Sequence, residues 1–483
     1  MPIGKFQCPE CQAPLIGTPE TAVMCERCNT RVPVAGGILD FLQGPTGPVS
    51  DPDDYDALHN IDDARSLARY RGLKRLAGQY WPTSLGSVLE VGCGTGLLTR
   101  ALIREGEATD LVVTDIYRPM VSATRGHLDR AGLLSAMPLT FATHGGTEPV
   151  FRDAVFDTCI GGSVLHHMPD VRHFLANMFR WLKPGGRAFF TEPNVRYHRA
   201  LGQTLADILI LLSRADPAPS NDRQVLLNLI AQWRRGILHQ GDLPFLTTLE
   251  DKHMFASDSF EAMARELGFK EIAVIPASAQ PTGTDFVGAL CHQIGVGDAV
   301  RAQVMALLPA FKDRYLSLLS PRDQTDSFLL WLEKGTGPVL RHFHGPPGPE
   351  TVPPASLEAV FRAGGLPPRW AFVLMASRVA DGIALRVSGW CLVNTDVLWV
   401  RVTLGGVSRE APVWLPRPDV PRAIDPQSVY ASWNALCCGV DETFVFPDGP
   451  LDLRIEIVLA SGGVLAVAAP ANVTMDAPMT VTQ

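Results

Sequence analysis

Three groups of residues have types and spacings that could do chemistry. The first is a cysteine quartet, Cys8-x2-Cys11 and Cys25-x2-Cys28. Two such knuckles can aim four thiolates at one tetrahedral zinc ion, in a closed structural site with no open coordination position. The second is Glu90-Val91-Gly92-Cys93-Gly94-Thr95-Gly96, with glycine at every second position. Glycines there let backbone approach a ligand where a Cβ would collide, and the helix start beyond them offers unpaired N–H groups to a carboxylate. The third is His166-His167, near the end of an apolar run. Imidazole titrates near neutrality and suits general-base work, although a histidine here also serves by bonding local backbone.

The elements that position these groups follow from hydrophobic pattern. Ser87 to Val91 is β-branched and apolar, a buried strand, and Leu97 to Arg104 reads as an apolar-faced helix. Strand, glycine turn and helix begin a nucleotide-binding α/β unit. A second apolar strand ends at Asp115, and Ala154 to Gly162, expected as the fourth strand of the sheet, runs into Ser163-Val164-Leu165-His166-His167. The helix face Phe174, Leu175, Met178, Phe179 and Leu182 stops at Lys183-Pro184-Gly185-Gly186. The strand Arg187 to Thr191 then ends in Glu192-Pro193-Asn194, two polar groups at the carboxyl edge where open α/β sheets bind ligands. Upstream, residues 64–80 repeat apolar side chains at helical spacing and carry Arg65, Arg69, Arg71, Lys74 and Arg75 on the other face, as a solvated surface or a patch for an anionic substrate or membrane.

These landmarks, in this order, resemble the class I S-adenosylmethionine (SAM) methyltransferases. Glu90 to Gly96 resembles the family's ExGxGxG motif; Val112 to Ile116, Phe156-Asp157, Val164 to Pro169 and Leu182 to Gly186 resemble its later landmarks. The resemblance spans roughly residues 55–295. It implies a Rossmann-like α/β fold with a seven-stranded sheet, and SAM as cofactor. It places Glu90 and the backbone of Gly92, Cys93, Gly94 and Gly96 at the amino-acid end of SAM. Asp115 then sits at the ribose, with a helix N-cap as its other reading, and Ile116 and Met120 flank the adenine. The family's usual acidic adenine contact is missing, and His144 or a backbone group takes its place. Tyr55 falls where relatives fold an N-terminal segment over the cofactor. His167 and His166 are the candidate catalytic bases, with His253 a further one.

At 483 residues the chain is too long for one core. We expect a zinc ribbon at 1–43 and a methyltransferase domain at 53–295 with a helical insertion at 195–252. A helical extension at 296–340 and an antiparallel β-sandwich at 355–483 follow. Residues 195–252 form either an acceptor-side lid or an extension of the core. Lys270 to Pro276 and Asp285 to His292 read as the final antiparallel strand pair, and 298–334 as helical with Trp331 on its apolar stripe. Pro/Gly-rich stretches at 44–54 and 341–354 read as linkers. Gly37-Ile38-Leu39-Asp40-Phe41-Leu42 resembles the exit of zinc ribbons fused to bacterial methyltransferases. Val387 to Trp390 and Leu415 to Val420 resemble an accessory β-domain of glycan-modifying transferases. Trp390, Trp399, Trp414 and Trp433 there could stack on sugars or form an oligomer or partner interface.

Composition excludes some classes. Hydrophobic residues make up 46% and charged residues 19%, a globular balance. The net charge of −8 argues against a nucleic-acid partner. The ribbon repeats this, with Lys5, Arg27 and Arg31 against Glu10, Glu20, Glu26 and Asp40. No leader or membrane-spanning run is visible, so a cytoplasmic location with reduced cysteines is expected. The acceptor is then a small molecule or saccharide methylated on O or N. The rival readings are an RNA methyltransferase with a zinc module and a non-catalytic SAM-fold scaffold.

Overall fold

A computed structural model describes residues 3–18, 22–42, 51–59, 62–215, 220–238, 252–277, 283–316, 319–335, 340–343, 368–393, 396–417, 419–420, 436–460, 463–467 and 473–482. Trp433 and most of both linkers lie outside these residues.

The chain begins with a three-stranded antiparallel ribbon of β1 (Leu15–Thr18), β2 (Ala22–Cys25) and β3 (Arg31–Val32), followed by a hairpin of β4 (Val34–Ala35) and β5 (Ile38–Asp40). Helices α1 (Pro52–His59) and α2 (Asp63–Ala77) precede β6 (Gly86–Val91), α3 (Leu97–Glu105), β7 (Ala108–Asp115), α4 (Arg118–Arg130), β8 (Leu139–Thr143), β9 (Phe156–Gly162), α5 (Val171–Trp181) and β10 (Leu182–Pro193). Then come α6 (Val195–Ala215), α7 (Asn221–Leu238), α8 (Ser257–Leu267), β11 (Glu271–Pro276), α9 (Gly283–Gln293), α10 (Asp298–Tyr315), β12 (Ser327–Glu333) and β13 (Leu340–Phe343).

One sheet runs β13-β11-β12-β10-β9-β6-β7-β8-β5-β4. Its seven central strands, β11 through β8, are the expected Rossmann-like sheet: β6 to β10 are parallel to one another, and β12 runs antiparallel to both β10 and β11. Leu89, Val112, Ile160 and Phe190 are fully buried, because helices cover both faces and strands so placed need continuous apolar runs. The edges are not bare. At one side β13 adds in parallel to β11; at the other, β5 adds in parallel to β8, which hides hydrogen-bonding groups an exposed edge would leave open.

Two expectations are corrected here. Residues 285–292 lie in helix α9, and the antiparallel partner of β11 is β12, inside the stretch read as helical. Phe328 to Leu332 are all buried, so this strand shows no period of two; a short continuous apolar run fits helix and strand equally until its neighbours decide. Trp331 is therefore a core residue of a strand, with its ring 4.6 Å from that of Tyr80.

The ribbon is welded to this sheet. Phe6 is fully buried, stacks on Phe41 at 5.6 Å, and packs on Phe151 at 5.1 Å, within the same apolar cluster as Phe174 and Trp181. The Gln7 N–H donates to the Val150 carbonyl at 2.8 Å, and Phe41 N–H to the Thr143 hydroxyl at 2.9 Å. About 40 residues cannot build a core alone, and these borrow their neighbour's.

The chain divides into two compact units. The first holds the ribbon, the ten-stranded sheet, α1 to α5 and α8; the second holds nearly all of α6, then α7, α9, α10 and the C-terminal β-domain. That domain comprises β14 (Arg369–Val379), β15 (Gly382–Leu392), β16 (Val397–Leu404), β17 (Val407–Pro412), β18 (Gly439–Phe446), β19 (Leu453–Leu459), β20 (Val464–Val467) and β21 (Pro478–Thr482). Two antiparallel four-stranded sheets, β18-β15-β14-β21 and β17-β16-β19-β20, close on a common core that includes Phe372, Leu385, Val400 and Ile455, forming the expected sandwich. Within this unit the insertion helices are tied to the sandwich. Arg234 of α7, 1% exposed, donates to the carbonyls of Val413 (2.5 Å) and Cys437 (3.2 Å), and Arg199 pairs with Asp396 at 2.6 Å. Arg235 lies over the Trp414 ring at 4.4 Å, so this tryptophan face is taken. Among the described residues no helix is long and apolar enough to cross a membrane.

Candidate active site and metal centre

At the carboxyl end of β6 the chain turns through Gly92, Gly94 and Gly96, all with positive φ. A side chain at these positions would be strained by φ and crowded by its neighbours. A Cβ on Gly92 would meet Val164 Cγ2 at 2.4 Å, and one on Gly94 would stand 3.3 Å from the Tyr55 hydroxyl oxygen. Tyr55 therefore lies beside the glycine turn. Helix α1 is latched there by His127 of α4, whose ring lies 2.9 Å from both the Thr95 carbonyl oxygen and the Asp56 carboxylate. Cys93 is buried, with its N–H on the Thr114 carbonyl at 2.9 Å; burial pushes its thiol well above the ordinary range.

Glu90 ends β6 with 1% exposure, and neither of its carboxylate oxygens has a hydrogen-bond partner among the described residues. Burial pushes its pKa up to about 8, against the nearby hydroxyl and N–H of Thr99, which lower it, and with a smaller upward contribution from Asp115. Asp115 ends β7. Its Oδ2 accepts from Gly94 N–H and its Oδ1 from Tyr117 N–H, both at 2.9 Å, while burial lifts its pKa to about 6. It thus fastens the glycine turn to the start of α4, with the Ile116 N–H also acting on the carboxylate. Ile116 is half-buried and Met120 is buried in the first turn of α4. His144 is different: its side chain is fully enclosed, with Phe151 at 5.0 Å and Trp181 at 5.3 Å, and Nε2 lies 3.2 Å from the Glu148 carbonyl. Its ring belongs to the aromatic core, and its backbone N–H donates to the Asp115 carbonyl at 2.9 Å.

On the other side of β9 lies the histidine turn. Glu192, at the end of β10 and fully buried, takes four donors: Val164 N–H (3.0 Å), Leu165 N–H (2.8 Å), His166 N–H (3.3 Å) and His166 Nδ1 (2.7 Å). In the neutral ring with Nδ1–H donating to the carboxylate, Nε2 of His166 is the acceptor nitrogen. His167 is half-buried, its ring 4.0 Å from that of His166. His253 Nε2 lies 3.3 Å from the Pro169 carbonyl, and burial lowers its pKa. The sequence reading took Glu192 and Asn194 as substrate-side groups. Both are fully buried instead: Glu192 organises the histidine turn, and Asn194 Nδ2 donates to the Asp323 carbonyl at 3.3 Å. The sequence signal for Glu192 was a carboxylate directly after an apolar strand, with nothing local to pair it.

In the ribbon the sulfur atoms of Cys8, Cys11, Cys25 and Cys28 all lie within 4.8 Å of one another. Zn–S bonds near ~2.3 Å would set sulfurs roughly 3.8 Å apart in a tetrahedron, so the quartet fits that ion. The two knuckles repeat one geometry. Gln12 N–H donates to the Cys8 carbonyl and Asn29 N–H to the Cys25 carbonyl, each at 2.9 Å, and Gln12 and Asn29 both have φ of 59°.

Comparison with known proteins bears on the first unit. The methyltransferase domain family matches residues 89–190. The chain is 34% identical over 99 residues to the biotin biosynthesis bifunctional protein BioCD of Bordetella avium, covering 20% of each chain. It is 32% identical over 142 residues to the ubiquinone biosynthesis O-methyltransferase of Aliivibrio fischeri, covering 29% of this chain and 55% of that one. It thus spans a fifth to about half the length of these relatives. Among solved structures, a methyltransferase of Bacillus halodurans described as putative aligns at 16% identity and TM-score 0.33, over 56% of this chain and 99% of that one. Residues 89–190 match the methyltransferase domain family, and the strand order around them is that of a Rossmann-like sheet similar to class I SAM-dependent methyltransferases.

Proposed function

We propose that the protein binds SAM over the Gly92–Gly96 turn and transfers its methyl group to a hydroxyl oxygen of a small acceptor. One observation carries the reading: Glu90 is a buried carboxylate that accepts no hydrogen bond within normal length among the described residues, with only the Thr99 donors acting on it, beside a glycine turn at positive φ, and such a group calls for a cationic ligand. The ammonium of SAM's amino-acid end would answer Glu90, the N–H groups at the start of α3 its carboxylate, and Asp115 the ribose hydroxyls. Tyr55 would close over the turn. When bound, SAM supplies an electrophilic methyl carbon on a sulfonium and leaves as S-adenosylhomocysteine (SAH). His166 Nε2 takes the acceptor's hydroxyl proton as its oxygen bonds to that carbon. Glu192 holds the imidazole tautomer and orientation. Of the two candidate bases, His167 and His166, this proposal takes His166, because its Nδ1 bonds the buried carboxylate. Named O-methyltransferases among the relatives are compatible with a hydroxyl acceptor.

Titration calorimetry of the full chain with SAH tests the cofactor half. Micromolar binding is expected, lost in Gly92→Ala, where both φ and Val164 forbid the added methyl. No heat at millimolar SAH would end the proposal. Radiolabelled SAM offered with phenols and amines tests the acceptor half: O-methyl products are expected, and purely N-methylated ones would exclude the hydroxyl reading.

We further propose that the ribbon holds one zinc ion through Cys8, Cys11, Cys25 and Cys28. Metal analysis should find one equivalent per chain, absent in a Cys8→Ser/Cys11→Ser variant. Because the ribbon shares a core with the sheet, its loss should also lower the first unit's unfolding temperature.

A further inference from the structure

The cationic face of α2 divides into paired and unpaired groups. Arg71 pairs with Glu105 at 2.9 Å and Lys74 pairs with Glu107. Arg65 and Arg75 are exposed at the two ends of the same face. Arg69 is exposed too, and among the described residues it has no hydrogen bond or ion pair, but it does not point at random. Its Nη2 stands 3.1 Å from the point where a Cβ on Gly162 would lie, and the Thr191 hydroxyl oxygen is 3.4 Å from that point. Its charge acts on the Tyr55 phenol, which burial otherwise pushes upward.

Arg69 therefore spans from α2 to the carboxyl ends of β9 and β10, the crevice where open α/β sheets take ligands. Three further features belong to that spot. Gly162 leaves out the side chain that would push the guanidinium aside. Ser163 is exposed with φ of 56°, a left-handed conformation unusual for a residue with a Cβ, and its N–H is committed to the Thr191 carbonyl at 2.7 Å. Four residues beyond Gly162 stands the His166 ring. Among the described residues Glu192 makes no ion pair with the arginine; its oxygens accept from the histidine turn.

We infer that Arg69 is an anion-recognition residue of the acceptor site, so that the acceptor carries a carboxylate or phosphate besides the group that is methylated. This deepens the methyl-transfer reading and rests on it for the meaning of the cleft. A planar guanidinium offers two parallel N–H donors to either anion, and bidentate binding would fix the acceptor's far end while leaving its hydroxyl toward His166.

The test is residue-resolved modification of the full chain by phenylglyoxal, with SAH present, read by peptide mass mapping. Benzoate, phenyl phosphate and benzyl alcohol are the probes. Arg69 modification should slow about tenfold with an anionic probe and not with the neutral alcohol, while Arg65 and Arg75 react unchanged. Protection by benzoate alone assigns a carboxylate, and by phenyl phosphate alone a phosphate. Equal protection of all three arginines, protection by benzyl alcohol, or none at all would overturn the inference. Gly162→Ala displaces the guanidinium without removing it and should weaken the protection while SAH still binds. If SAH fails to bind and anion protection of Arg69 persists, the methyl-transfer reading falls and the anion site stands.

Discussion

Two glutamates flank β9 at the same end of the sheet, Glu90 on β6 and Glu192 on β10, and both are buried at 1% exposure or less. Their surroundings are opposite. Glu192 receives four N–H groups from one short turn, whereas among the described residues both oxygens of Glu90 lack a hydrogen bond of normal length and feel only the Thr99 hydroxyl and N–H as donors. A buried carboxylate that is fully satisfied holds structure together. One left bare is a cost to the free protein, retained where a ligand can offset it. The cleft is therefore finished on the histidine side and incomplete on the glycine side.

Breaking Glu192 should have the largest effect. Glu192→Leu strands three backbone N–H groups and the His166 ring in a buried site, so the first unit should lose about 3–5 kcal/mol in urea unfolding, with or without SAH. A loss below about 1 kcal/mol would mean the turn finds other partners and the contrast is wrong. Glu90→Gln should do the reverse: stability of the ligand-free protein unchanged or raised by about 1 kcal/mol. SAH affinity should fall roughly 10- to 100-fold, the worth of one charge-assisted hydrogen bond. If Glu90→Gln instead destabilises the free protein while binding SAH normally, Glu90 is a structural group and the cofactor assignment fails.

The sequence showed these two sides unequally, for a physical reason. The glycine turn is local: strand, turn and helix lie within Gly86–Glu105, and glycine spacing reports backbone shape directly. The order of the central strands followed from that unit and the landmarks after it. The Glu192 arrangement is not local, since its partners lie 26 to 28 residues earlier and pairing across a sheet leaves no periodic trace. The same limit hid β12, which completes the sheet from beyond two helices of the other unit, and which no alternation distinguished from a helix. The setting of the His144 ring was not legible either, because Phe151 and Trp181 decide where it sits.

The smallest effect, and the one that sharpens the contrast most, is on pH. Burial holds the Glu90 pKa at about 8 against an ordinary 4.5, and that of Asp115 at about 6 against 3.8. The folded chain therefore keeps protons that the unfolded chain has already released. Wherever the native state binds more protons, stability declines as pH rises. The contribution is complete below the ordinary carboxylate range and disappears as pH climbs through about 6 and then about 8. A cationic ligand reverses the preference, since it favours the ionised carboxylate. SAH affinity should thus rise between pH 6 and 8, by at most about tenfold per unit for one released proton. Calorimetry in buffers of different ionisation enthalpy would count that proton. In Glu90→Gln the slope across this window should flatten, because the group that releases the proton is gone. A slope that survives the substitution would assign the proton to another group and leave Glu90 without its cation.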